Sequence, residues 1–261
     1  MRLTWLGHST VLVEVDGVRL LADPLLRRHT GALRRAVPLP PIAGTVGATL
    51  DGVLISHLHH DHCDLATLRA LAAPVVVAPP GAAAWLARHG VGGTVELEPG
   101  EGLALASGVR VVAVRARHSG RREPWGPTAL AVGHVVEGTS GSAWLAGDTG
   151  LYPGMGDLPA LTRRGRIDIA AVPVWGWGPT LGPGHLDPAE AAEAAVRVGA
   201  GVAVPVHWGT LHPAGLRAVM RDRLVGPAGE FAARLATLGG GRGPLVRAHV
   251  LAVGGRLELT S

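Results

Sequence analysis

The chain has no lysine, asparagine or glutamine, and only one cysteine, one phenylalanine and one tyrosine among its 261 residues. Each shortage excludes something. A lone Cys63 rules out an intrachain disulfide as a source of stability, which fits a reducing compartment. Without lysine, every strong base is an arginine, and arginine stays protonated, so an isoelectric point of about 10.7 accompanies a net charge of only +4. Some of the 24 arginines fall in short pairs, among them 27–28, 34–35 and 121–122. There is no basic tract interleaved with aromatics, and nucleic acid is not an expected partner. No apolar run reaches the roughly 18–20 residues that span a bilayer, and MRLTWLGHST lacks the core of a signal peptide. The expectation is a soluble, cytoplasmic protein. The missing residue types, beside abundant Arg, Ala, Gly and Val, read as a bias toward GC-rich codons.

What is present is an apolar fraction of 47%, enough for a sizeable core, and seven tryptophans among nine aromatic residues. Short strand-like runs alternate with helical ones along the whole length. VLVEV (11–15), the turn Asp16-Gly17 and VRLLA (18–22) read as a hairpin. Residues 27–50, rich in Arg, Pro and Gly, read as a long loop. Buried strands are expected at 51–56, 74–79, 94–98, 102–106, 109–116, 128–136, 142–146, 167–174 and 201–208. A final strand pair is expected from RAHVLAV and RLEL. Helices are expected at 64–72, capped by Asp64, at 80–89, and at 227–239. Another is expected at 187–199, with Asp187 as cap, Pro188 in the first turn and Gly199 as stop. No linker or repeat divides the chain. The reading is one α/β domain over 1–261, with two sheet halves and helices outside.

The densest chemistry is ISHLHHDHCD at 55–64, directly after a buried strand. In extended backbone His57 and His59 point the same way, and Asp61 and His62 follow in a turn. Imidazole and carboxylate are the ligands of zinc and similar ions. Further along, VVAVRARHSG carries His118, WLAGDTG carries Asp148 and VAVPVHWGT carries His207.

HxHxDH followed by these three positions, in this order, resembles the metallo-β-lactamase superfamily of metal-dependent hydrolases. The resemblance implies a four-layer αββα sandwich of two mixed β-sheets flanked by helices. It also implies two divalent metal ions, zinc first, with manganese or iron as alternatives. His57, His59 and His118 would hold one ion; Asp61, His62 and His207 the other; Asp148 would bridge. Asp61 has a second reading as an orienting or proton-accepting group. WLGHST, ADPLL, LPPI and GHLDPAEA beside VPVHWGT are similar to the branch containing N-acyl-phosphatidylethanolamine phospholipase D, near the ascorbate-6-phosphate lactonase-like proteins. There His185 would lie beside the metals and serve catalysis or substrate binding; its plain alternative is a surface histidine. No large insertion separates Asp148 from His207, unlike the nuclease branch.

Other residues divide between function and packing. His8 and Asp23 sit in turns and could orient metal ligands. Trp177, with Trp175, Trp125 and Trp208, could line an apolar substrate pocket or touch a membrane interface; packing is the plain alternative. Arg121 and Arg122 could meet a phosphate, against an alternative of solvated surface. Cys63 reads as a small buried hydrophobe. His29, His60, His89, His134, His212 and His249 lack motif support. The expected activity is hydrolysis by a metal-bridging hydroxide, on a phosphodiester first and a lactone or other cyclic ester second. Asp61, Asp148 and His185 are its catalytic candidates. The expected partner is a small-molecule or lipid ester, with peripheral membrane contact open. A metal-containing sensor without turnover is the reading from another class.

Overall fold

The computed structural model describes residues 1–44, 46–238 and 246–259. Its architecture follows from strands that are apolar on both faces. In Arg110–Arg115, Val111 and Ala113 enter the core between two sheets, while Val112 and Val114 pack outward beneath helices. In Thr10–Val15, Val11 and Val13 face inward and Leu12 faces outward. A period of two with both faces buried requires cover on both sides. Three apolar clusters result, one between the sheets and one outside each, and these define the expected αββα layers.

Each large sheet has seven strands. The first runs Arg256–Glu258, Arg2–Gly7, Thr10–Val15, Val18–Ala22, Gly52–Leu54, Val76–Ala78, Thr94–Glu96. The second runs Arg247–Ala248, Val202–Val206, Ile169–Pro173, Ser142–Leu145, Val132–Glu137, Arg110–Arg115, Gly102–Ala104. Each is antiparallel in one part and parallel in the other. The helix Pro188–Val198 has its capping box, Asp187 with Glu190, and stops at Gly199 with φ 64°. Its buried alanines let it approach Pro227–Leu238, which contributes Phe231 and Leu235.

Several expectations change. Arg247–Ala248 and Arg256–Glu258 do not pair with each other: one joins Val202–Val206 and the other Arg2–Gly7, so the chain end serves both sheets. The 27–50 segment is not all loop. His29–Thr30 and Leu33–Arg35 form a small sheet with Leu211–Pro213, a pairing between segments far apart in sequence. The strand expected from 128 begins at Val132. The 3-10 helix Met155–Leu161 and the short helix Arg221–Val225 were not anticipated. Residue 239, the last of the expected final helix, lies outside the described residues. Among the described residues no helix is long and apolar enough to cross a membrane.

Candidate metal centre

Strands Gly52–Leu54, Ser142–Leu145, Ile169–Pro173 and Val202–Val206 end at one edge of the sandwich, where the loops after them meet. Loops at strand ends are free to place side chains that the sheets hold rigidly from below. All seven proposed ligands converge there. His57, His59 and His118 form one group of close donor atoms, and His62, His207 and Asp61, with His8, form another. Asp148 lies between them. Its Oδ2 is 3.2 Å from His62 Nε2 and 4.0 Å from both His57 Nε2 and His118 Nε2, and its Oδ1 is 3.3 Å from His207 Nε2.

The far side of the rings decides which nitrogen each presents. His62 Nδ1 donates to Asp23 Oδ2 at 2.8 Å, His207 Nδ1 to the Trp175 carbonyl at 2.8 Å, and His118 Nδ1 to the Gly184 carbonyl at 2.9 Å. His57 Nδ1 donates to Ser56 Oγ at 2.9 Å, and Ser56 Oγ donates to Asp23 Oδ2 at 2.7 Å. These assignments follow from the partners. They leave Nε2 of each ring facing the centre, as metal ligation requires. There His62 Nε2 and His207 Nε2 stand 3.1 Å apart, and His59 Nδ1 stands 3.2 Å from His118 Nε2. His57 Nε2 is buried without a hydrogen-bond partner. Nitrogen lone pairs converging at such distances, beside two carboxylates, form a donor set suited to divalent cations.

The electrostatics ask for the same positive charge. Burial opposes ionisation of Asp61, but His62, His207 and His8 hold it well below the usual carboxylate range. Burial also opposes charge on Asp148, where His207, His62 and His185 prevail. Burial pulls His62 down, yet Asp148, Asp61 and Asp23 together raise it well above an ordinary imidazole. In contrast, burial holds His57 well below its ordinary value and pushes His118 down to about 4.

The turn residues read as orienting groups do orient. His8 Nε2 is 2.8 Å from Asp61 Oδ2, and Asp23 also accepts the Ser56 N–H on Oδ1 at 2.8 Å. His8, Asp23 and His207 all have positive φ, at 52°, 42° and 62°, a backbone state that non-glycine residues adopt at a cost. Two cross-links hold this strained corner: His207 N–H donates to the His8 carbonyl at 2.9 Å, and His8 N–H to Thr210 Oγ1 at 2.8 Å. Ser56 and Thr210 stand inside ISHLHHDHCD and HWGT but were not singled out. A hydroxyl beside a ligand histidine was the available signal. The carbonyl anchors leave no mark on side-chain identity.

A chamber of about 630 Å³ opens onto the centre, with His59, Asp61, Asp148 and His207 among its lining. Trp177 and Leu181 from one loop face Leu33 and Pro213 from the small sheet. His185 lines it too, with Nε2 3.4 Å from Asp148 Oδ2 and Nδ1 donating to the Gly182 carbonyl at 3.1 Å. A larger depression of about 1030 Å³, walled partly by Leu39, Pro41 and Arg256, contains none of the ligands.

The structure separates the other candidates. Arg121, expected against a phosphate, is not among the chamber residues; it is exposed and paired with Glu123 at 3.3 Å. Its neighbour turns inward instead. Arg122 donates to the carbonyls of Leu58 and Cys63 at 2.7 and 2.9 Å and lies 4.8 Å from the Trp85 ring, bracing the histidine turn. Cys63 is buried, and burial pushes its thiol up to about 12. Trp208 stacks on Trp5 at 5.5 Å, Trp175 is buried under Arg223, and Trp125 is 93% exposed away from the chamber lining.

Comparison with known proteins agrees with this geometry. The model of the Beta-lactamase superfamily domain matches residues 18–208. An uncharacterized protein of Mycobacterium tuberculosis is 34% identical over 82% of this chain and 61% of its own length, so the chain spans about three fifths of that relative. A UPF0173 metal-dependent hydrolase of Methanopyrus kandleri is 32% identical over 82% of this chain and 86% of that one. N-acyl-phosphatidylethanolamine-hydrolyzing phospholipase D 1 of Caenorhabditis elegans is 29% identical over 79% and 63%. Among solved structures, the metallo hydrolase Igni18 of Ignicoccus hospitalis superimposes with a TM-score of 0.74, at 22% identity and 99% coverage of both chains. The chain belongs to the metallo-β-lactamase superfamily of metal-dependent hydrolases.

Proposed function

We propose that the chain is a dinuclear hydrolase of a phosphodiester that carries an apolar group. The observation that carries this reading is the convergence of seven ligand side chains beneath an apolar chamber. His57, His59 and His118 would hold one cation, Asp61, His62 and His207 the second, with Asp148 shared. Two divalent cations, zinc or else manganese or iron, supply hydroxide near neutral pH and offset charge that develops on the substrate oxygens. The protein's own groups do the rest. His8 fixes Asp61 and Asp23 fixes His62, so the ligands need little reorganisation. His185 lines the chamber beside Asp148, where its imidazole can hold a proton for a leaving oxygen. Trp177 and Leu181 exclude water and receive the apolar part of a small-molecule or lipid ester. Support for a phosphodiester comes from the phospholipase D relative.

A second reading is favoured by one observation. Among the described residues that line the chamber none is an arginine, and Glu123 adds a carboxylate. An uncharged lactone or other cyclic ester would not be repelled there as an anionic phosphodiester would. The test is elemental analysis of the purified protein, with bis(p-nitrophenyl) phosphate and a lactone panel assayed on the same sample. Two metals per chain with metal-dependent phosphodiester turnover is the expected result. Turnover confined to lactones would select the second reading. Phosphodiester turnover that survives removal of metal would overturn both, and two metals without turnover on any ester would leave a sensor.

A further inference from the structure

His134 has no place in the centre described so far, yet it lies directly behind it. It sits on strand Val132–Glu137, on the face whose neighbours Val132 and Val136 fill the core between the sheets. A valine or leucine would pack there without polar atoms. Instead the histidine is 1% exposed, and its Nε2 has no hydrogen-bond partner. Such an unpaired group is costly in a core and calls for an explanation. A cavity of about 10 Å³ adjoins it, lined also by Ser9, Asp23 and Ser56 amid apolar walls. Ser9 Oγ is likewise buried without a partner. Roughly 10–15 Å³ is the room one water needs, together with two to four polar partners. Those partners are present.

We propose that His134 is a positioning residue of the metal centre, joined to Asp23 by a single water held in this cavity with Ser9. The inference rests on the reading of the ligands as a metal centre. Burial pushes His134 down to about 4, so its ring is neutral and one nitrogen carries a hydrogen. That N–H donates to the water, and the water donates to the Asp23 carboxylate. Asp23 is the group worth holding. It accepts from His62 Nδ1 directly and from Ser56 Oγ, which itself accepts from His57 Nδ1. One carboxylate thus orients a histidine in each half of the centre, and His134 secures it from the core side. Partners of this kind change metal affinity by about 10–100-fold when removed.

The test uses the full chain stripped of metal and titrated with cobalt(II), read by visible absorption and by competition with a chelating indicator. His134→Leu should stay folded with a thermal midpoint close to the wild type, because an apolar side chain fills the place among Val132 and Val136 while one water-mediated hydrogen bond is lost. It should bind cobalt about tenfold more weakly, with a shifted absorption band. His134→Gln, which retains a donor, should recover most of the loss, and Ser9→Ala should weaken binding in the same direction by less. Wild-type affinity and spectrum in His134→Leu would overturn the proposal, as would equal impairment in His134→Gln. Should His134→Leu fail to fold, Ser9→Ala decides: unchanged affinity and spectrum would overturn it. A wild-type protein that binds no cobalt would overturn the metal-centre reading as well, whereas normal wild-type binding beside an unaffected variant would overturn this inference alone.

Discussion

The two halves of the centre share Asp148 but differ in how they are built. In one, His62 and His207 are fully buried, their far nitrogens donate to Asp23 and the Trp175 carbonyl, and His8 braces Asp61. In the other, the His57 and His118 side chains are buried and His59 is half-buried, and His118 leans on the Gly184 carbonyl of a loop. The first half combines a carboxylate with rings locked by the core. The second offers three imidazoles, of which His59 is half-buried. The difference teaches that adjacent sites can be held by different means: one by a carboxylate and rings locked in the core, the other by imidazoles of which one leans on a loop.

The largest expected effect removes what the halves share. Asp148→Ala should lower kcat by roughly 10³-fold or more with the fold retained, checked by steady-state assay and circular dichroism. Loss of much less would mean that Asp148 does not join the halves. Next, a chelator titration should release the cation of His57, His59 and His118 first, with affinities separated by about tenfold or more, read as metal per chain against chelator concentration. Simultaneous release would erase the contrast.

Acid should act on both halves of the metal-free protein. Burial holds the imidazole of His8 down to about 3 and that of His118 down to about 4, against 6.5 when unfolded. The unfolded chain therefore binds more protons below 6.5, and stability falls as pH drops from 6.5 toward 3. At about 1.4 kcal/mol per unit, the fully buried His8 contributes on the order of a few kcal/mol and the less buried His118 less. Urea midpoints measured from pH 7 to pH 4 check this, and a flat profile would contradict it. The smallest effect is expected at Arg121→Ala, because its exposed pairing with Glu123 is worth under about 1 kcal/mol. An unchanged kcat/KM is the expected result; a tenfold fall would return Arg121 to the substrate.

The legible parts were those encoded locally. The run DGVLIS announced a buried strand, although only Gly52–Leu54 is strand and the next residues are already turning toward His57. The convergence of the seven candidate ligands was legible because their order along the chain resembles that of a known family. The pairing of Leu33–Arg35 with Leu211–Pro213 was not, since short strands of weak pattern gain their partners only in the assembled fold. Likewise, Arg121 and Arg122 look equivalent in sequence. Which one turns inward is decided by the carbonyls of Leu58 and Cys63, acceptors that no side chain advertises.

Asp23 touches one half of the centre directly and the other through Ser56. A cation that settles either histidine also settles this carboxylate for its neighbour. Loading should therefore be cooperative, and by thermodynamic linkage reciprocal: whatever factor the first cation adds to the affinity of the second, the second adds to the first. That shared factor adds to the intrinsic difference between the halves, so a change that loosens one cation should loosen the other as well while the order of release is kept.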